Sequence, residues 1–127
     1  MTKKLFILTL IGLISATSAY AKCEGGTEIT NTAGTTFCKS NVDMNWWSAA
    51  AWCKGNGLHL ATMYEMCPSW DGNVGSDKCP ELNGKGTVSV WSATAGDDNY
   101  AFRVNLSNGR ADDDYCTRAS NRYAFCR

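Results

Sequence analysis

Short β-prone runs over Thr27 to Thr30 and Thr35 to Cys38 flank the turn-forming stretch Asn31-Thr32-Ala33-Gly34. That pattern predicts an N-terminal hairpin over residues 23–40, with Cys23 and Cys38 placed to staple its ends. Asn45 is a favourable N-cap, and Trp46 to Lys54 follows with the helix formers Ala49, Ala50 and Ala51 before Gly55 and Gly57. A first helix is expected there, with Trp46, Ala49, Trp52 and Cys53 on one face turned to the core. Thr62-Met63-Tyr64-Glu65 has capping-box form and predicts a second short helix ending before Pro68. Residues 68–86 are rich in Gly, Asn, Asp, Ser and Pro and read as a long loop. Cys67 and Cys79 bracket its first half and can clip it. Strands follow: one around Val88, Val90 and Trp91, another over Tyr100 to Leu106 with Phe102, Val104 and Leu106 on one side. Ser107-Asn108-Gly109-Arg110 reads as a tight hairpin, because Asn-Gly accepts positive φ at both central positions. Arg122 to Arg127 forms a last strand. The class is α+β, with no internal repeat, linker or heptad.

The N-terminus is read apart from the fold. Lys3 and Lys4 precede the apolar stretch Leu5 to Ile14, and Ala19-Tyr20-Ala21 is a small-x-small site. This is the form of a secretory signal peptide over residues 1–21, leaving one domain over residues 22–127. The apolar stretch is too short to cross a bilayer, so no membrane span is expected in the mature chain. Export implies a periplasmic, cell-surface or extracellular location.

Charge and cysteine usage narrow the function. The whole chain has twelve basic and twelve acidic residues, and removing residues 1–21 takes two lysines and no acid. A nucleic-acid partner is therefore not expected. All seven cysteines lie beyond residue 21. In an oxidising compartment they read as a disulfide framework, which a chain of this size needs to supplement a modest core. An odd count leaves one thiol over, and spacing alone leaves the connectivity open. There is no Cys-x-x-Cys pair and a single histidine, His59. That argues against a zinc site and against Ser-His-Asp or Cys-His catalysis. Paired carboxylates such as Glu65 and Asp98 leave a hydrolase as the remotest alternative. The expectation is no catalysis and no cofactor.

The spacing Trp46-x2-Ala49-x3-Cys53-x3-Gly57-x2-Leu60-Ala61 resembles the first-helix signature of C-type lectin-like domains. Glu65 matches the acid of that family's second helix, and Phe125-Cys126 resembles its terminal strand. The resemblance spans essentially the whole of residues 22–127. It implies two short helices packed on small antiparallel sheets, stabilised by disulfides, with an N-terminal hairpin. It also implies the bridge Cys53–Cys126, with Cys23–Cys38 as the bridge of the family's long form and Cys67–Cys79 as a local one. Cys116 occupies the place of an inner-bridge cysteine whose partner is absent, which makes it the expected free thiol. A dimer through Cys116 follows as an option, as does a structural or assembly role in a cell-surface complex. The family's calcium-dependent sugar motifs, Glu-Pro-Asn or Gln-Pro-Asp and Trp-Asn-Asp, are missing. Oxygen ligands for calcium remain available at Asp97, Asp98, Asp112 and Asp114 if their loops are neighbours.

Composition changes abruptly after Trp91. Ser92 to Arg127 contains no Lys, Glu, Gln, Met or Trp, whereas Lys22 to Trp91 contains 17 of them. Those five types are the ones that adenine changes in an AAC codon cannot reach. The tail thus resembles a variable region written by a diversity-generating retroelement. On this reading the chain is an exported binding module for a protein or glycan ligand. Its contacts would come from Asp97, Asp98, Asn99, Tyr100, Arg103, Arg110, Asp112, Asp113, Asp114, Tyr115 and Arg118. Tyr, Asn and Asp supply stacking and adaptable hydrogen bonding in antibody loops in the same way.

Overall fold

Strands in the middle of this protein's sheet alternate their side chains between two separate cores. The computed structural model describes residues 23–96, 99–113 and 117–127; the expected signal peptide lies outside them. Six strands form one sheet: β1 (Gly26–Thr30), β2 (Thr36–Met44), β3 (Ser89–Ala95), β4 (Ala101–Asn105), β5 (Arg110–Asp112) and β6 (Arg122–Cys126). Their order across the sheet is β1-β2-β6-β3-β4-β5. All pairs are antiparallel except β3 with β6, which run parallel at Val90 and Tyr123. The helices are α1 (Trp46–Gly55) and α2 (Met63–Met66), with a 3-10 turn at Pro80–Leu82 inside the long loop.

The two cores lie on opposite faces of the sheet. Phe125 and Val90 join Phe37, Met63, Met66, Leu82, Phe102, Val104 and Leu106 in one. Ala124, Cys126, Trp91 and Ala101 join Ala49 and Cys53 of α1 in the other. The period of two along a strand places successive residues on opposite sides, so both faces are covered. Phe37 stacks on Phe125 with ring centroids 4.7 Å apart, at the centre of the first core. The expected apolar face of α1 is present: Ala49 and Cys53 are buried, with Trp46 and Trp52 packed at its margin.

Local signals are realised atom by atom. Asn45 caps α1 by accepting from the Ser48 N–H at 2.8 Å. Asn31 is buried at the head of the β1–β2 turn, accepts from the Ala33 and Thr35 N–H groups, and donates to the Met66 carbonyl. That one side chain ties the hairpin to α2. The capping box of α2 is complete, with Thr62 accepting from the Glu65 N–H and Glu65 from the Thr62 N–H. Glu65 also meets His59 Nε2 at 2.8 Å. Burial opposes ionisation of Glu65, but the Thr62 N–H and His59 outweigh it and hold its pKa below the ordinary 4.5. A carboxylate with a depressed folded pKa adds stability above its unfolded value, and that share is lost as pH falls through the folded value. The melting temperature should therefore fall less between about pH 6 and about pH 3 in Glu65→Gln than in the parent. An equal fall in both proteins would remove Glu65 from the acid response.

Two features depart from expectation. The sheet is single and mixed, because β6 bridges β2 and β3. The β4–β5 connection is not a two-residue Asn-Gly turn. Asn105 pairs with Arg110, so Leu106 to Gly109 form a four-residue loop closed by the Gly109 N–H on the Asn105 carbonyl. Gly109 alone there has positive φ, at 72°. Its lack of a side chain lets the Cys79 backbone lie against it, since an added Cβ would sit 2.5 Å from the Cys79 carbonyl oxygen. That tertiary contact, with Asn105 Oδ1 accepting from Ser107, selects the longer loop.

Three disulfides link Cys23–Cys38, Cys53–Cys126 and Cys67–Cys79, as expected. All are intramolecular, in the pattern that oxidising compartments favour. The remaining cysteine, Cys116, lies outside the described residues. Among the described residues no helix is long and apolar enough to cross a membrane.

Candidate binding face

β3 runs out at Ala95 and β5 at Asp112, and the chain segments beyond them meet. The Gly96 N–H donates to the Tyr100 carbonyl at 3.1 Å, closing the β3–β4 loop. Tyr100 forms an antiparallel bridge with Thr117. The Arg118 N–H donates to the Asn99 carbonyl at 2.8 Å. Asp113 lies so close to Gly96 that any Cβ there would overlap its carboxylate. Gly96, Asn99 and Tyr100 therefore lie beside Asp113, Thr117 and Arg118, a proximity that the sequence could only make a condition.

The scaffold holds this pair from the helix side. The Trp46 N–H donates to the Arg118 carbonyl at 2.9 Å, and the Arg118 guanidinium lies 4.5 Å from the centroid of a Trp46 ring. Trp46 is fixed in turn by its Nε1–H, which donates to the Ser92 carbonyl at 2.8 Å. One backbone hydrogen bond and a cation–π contact thus join Arg118 to the first turn of α1. The helical spacing assigns Trp46 to the core-facing side of α1, and nothing in that spacing signals the contact with Arg118. Its neighbour Trp47 is 53% exposed beside it.

The sequence-derived site residues divide into groups. Asn99 is exposed, while Tyr100, Asp113 and Arg118 are half-buried at the loop pair. Asp97, Asp98, Asp114 and Tyr115 lie outside the described residues. Asp112 is 3% exposed and does not present its carboxylate to solvent. It faces Arg103 Nη2 at 3.8 Å and Arg110 Nε at 3.5 Å. Arg103 also donates to Ser89 Oγ and Arg110 to Ser76 Oγ. These three charges share one face of the β4–β5 ladder and brace it. Arg110 is the most open of them, with 41% of its side chain exposed.

Asp112 is thereby a poor calcium ligand, since two guanidinium groups already offset its charge. Among the described residues one trio of metal-ligating types converges, Cys67, Cys79 and Glu81. The two sulfurs are bonded to each other, so they offer no thiolate. Comparison of the chain with family models, with curated proteins and with solved structures returned no match.

Proposed function

We propose that this chain is an exported, non-catalytic binding module of the C-type lectin-like type. Its binding face is centred where Gly96, Asn99 and Tyr100 lie beside Asp113, Thr117 and Arg118. The observation that carries this reading is their juxtaposition beside the first turn of α1. Two segments separated by the β4–β5 hairpin lie side by side, joined to α1 through Trp46 and Arg118. Side chains on such loops change without disturbing the fold, which is how binding surfaces diversify. The compositional break after Trp91 supports a hypervariable origin, because both loops fall within the biased segment. The ligand is a protein or glycan surface.

The test replaces Asp97, Asp98, Asp114 and Tyr115 with Gly and Ser in the 22–127 chain. Parent and variant are compared on a glycan array and on immobilised surface proteins, with and without calcium. The expected result is a target bound by the parent, with affinity reduced about tenfold or more in the variant and an unchanged melting temperature. Binding that survives the replacement overturns the loop assignment. A covalent dimer that disappears with reductant, with no target bound, would instead favour an assembly role through Cys116.

A further inference from the structure

α1 and the extended segment 58–62 leave an open groove between them of about 570 Å3. Trp46, Ala50 and Lys54 line its helix side. Residues four apart on a helix share one stripe, and eight residues extend about 12 Å along the axis. Leu58 and Leu60 line the opposite wall, and Ala93 of β3 completes it. Ala50 and Ala93 carry nothing beyond Cβ, so the groove exists because these two positions are small.

The two ends differ in chemistry. At the Trp46 end the indole N–H is already given to Ser92, and the groove lining there is apolar, Arg118 lying against the Trp46 ring without lining the groove. At the other end Lys54 and His59 reach the rim. His59 Nε2 is committed to Glu65 at 2.8 and 3.0 Å. Among the described residues no acid pairs with Lys54. The groove is thus open and mostly apolar, with one available ammonium at its end, and of a size typical of small-ligand sites. An apolar chain with a single anionic head complements both ends.

We propose that this groove binds a medium-chain carboxylate, its acyl chain lying along α1 toward Trp46 and its carboxylate at Lys54. The site touches the loop face only through Trp46 and stands whether or not the loops bind a ligand.

Calorimetric titration of the 22–127 chain with hexanoate, octanoate and decanoate, each below its micellar concentration, tests the assignment. Affinity should rise about fourfold for each methylene added, as expected for burial of apolar surface. Ala93→Leu fills the channel and should abolish decanoate binding. Lys54→Met keeps the apolar stem and removes the charge. It should weaken decanoate about tenfold while leaving decanol unchanged. Should Ala93→Leu melt below the working temperature, the Lys54→Met comparison decides alone. No binding, no dependence on chain length, or equal effects of Lys54→Met on decanoate and decanol would overturn the proposal.

Discussion

Replacing Cys53 and Cys126 together with alanine should lower the unfolding free energy by about 4 kcal/mol. The bridge closes a loop of 73 residues, so its removal frees the denatured chain more than loss of any other bond would. Cys23–Cys38 and Cys67–Cys79 close loops of 15 and 12 residues. The same chain-entropy argument gives about 3 kcal/mol for each of those. The long bridge also fastens α1 to β6 in the middle of the sheet, where both sulfurs are fully buried. A small domain has roughly 5–15 kcal/mol of stability in all, so this loss is a large part of it. Urea unfolding of the three paired variants under non-reducing conditions measures the ranking. The denatured state without the long bridge is also more expanded and should show the steepest denaturant dependence. Equal losses for all three bridges would show that loop length does not govern the effect here.

Trp91→Ala should cost about 4 kcal/mol, the upper part of the range for emptying an aromatic site. Trp91 is the largest fully buried side chain among the described residues, and it fills the core beneath α1. Its Nε1–H donates to the Met44 carbonyl at 2.9 Å, one residue before the cap of α1. The substitution therefore opens a cavity and strips a carbonyl of its donor at the same junction. Trp91→Phe separates the two effects, since it retains most of the volume and loses only the donor. It should cost about 1–2 kcal/mol. Thermal and urea unfolding of both variants give the comparison. If Phe costs as much as Ala, the hydrogen bond rather than the volume holds the strand-to-helix junction in place.

Features set by neighbouring residues were legible in the sequence. The cap at Asn45, the box at Thr62 and Glu65, the limits of α1 and the N-terminal hairpin all follow from short-range chemistry. The bridge Cys53–Cys126 followed only from the family resemblance, because spacing cannot join residues 73 apart. The strand order was not legible, since nothing local tells β6 to lie between β2 and β3. Nor was the bulge in β2, where the register shifts between Lys39 and Asp43. There Ser40 Oγ, not a backbone carbonyl, accepts the Ala124 N–H at 2.9 Å.

The longer loop at Leu106 to Gly109 also bears on the site. A two-residue turn would have set Asp114 opposite Arg103; the four-residue loop sets Asp112 there instead. The acidic run at 112–114 is consequently not one loop. Its first member belongs to β5 and is buried, and its second belongs to the loop pair beside Gly96. A two-residue slip keeps every side chain on its own face but exchanges its partner, so apolar periodicity gives no warning of it.

The position of β6 has a consequence for how the chain comes together in time. β6 is the last of the six strands to be synthesised, yet it is the seam of the sheet. Until residues 122–126 emerge, β1–β2 and β3–β4–β5 are two separate ribbons, and the first core lacks Phe125 as the partner of Phe37. Folding from the N-terminus would lack the strand that joins the two ribbons until β6 is made, so closure of the sheet is expected as a late event dominated by contacts distant in sequence.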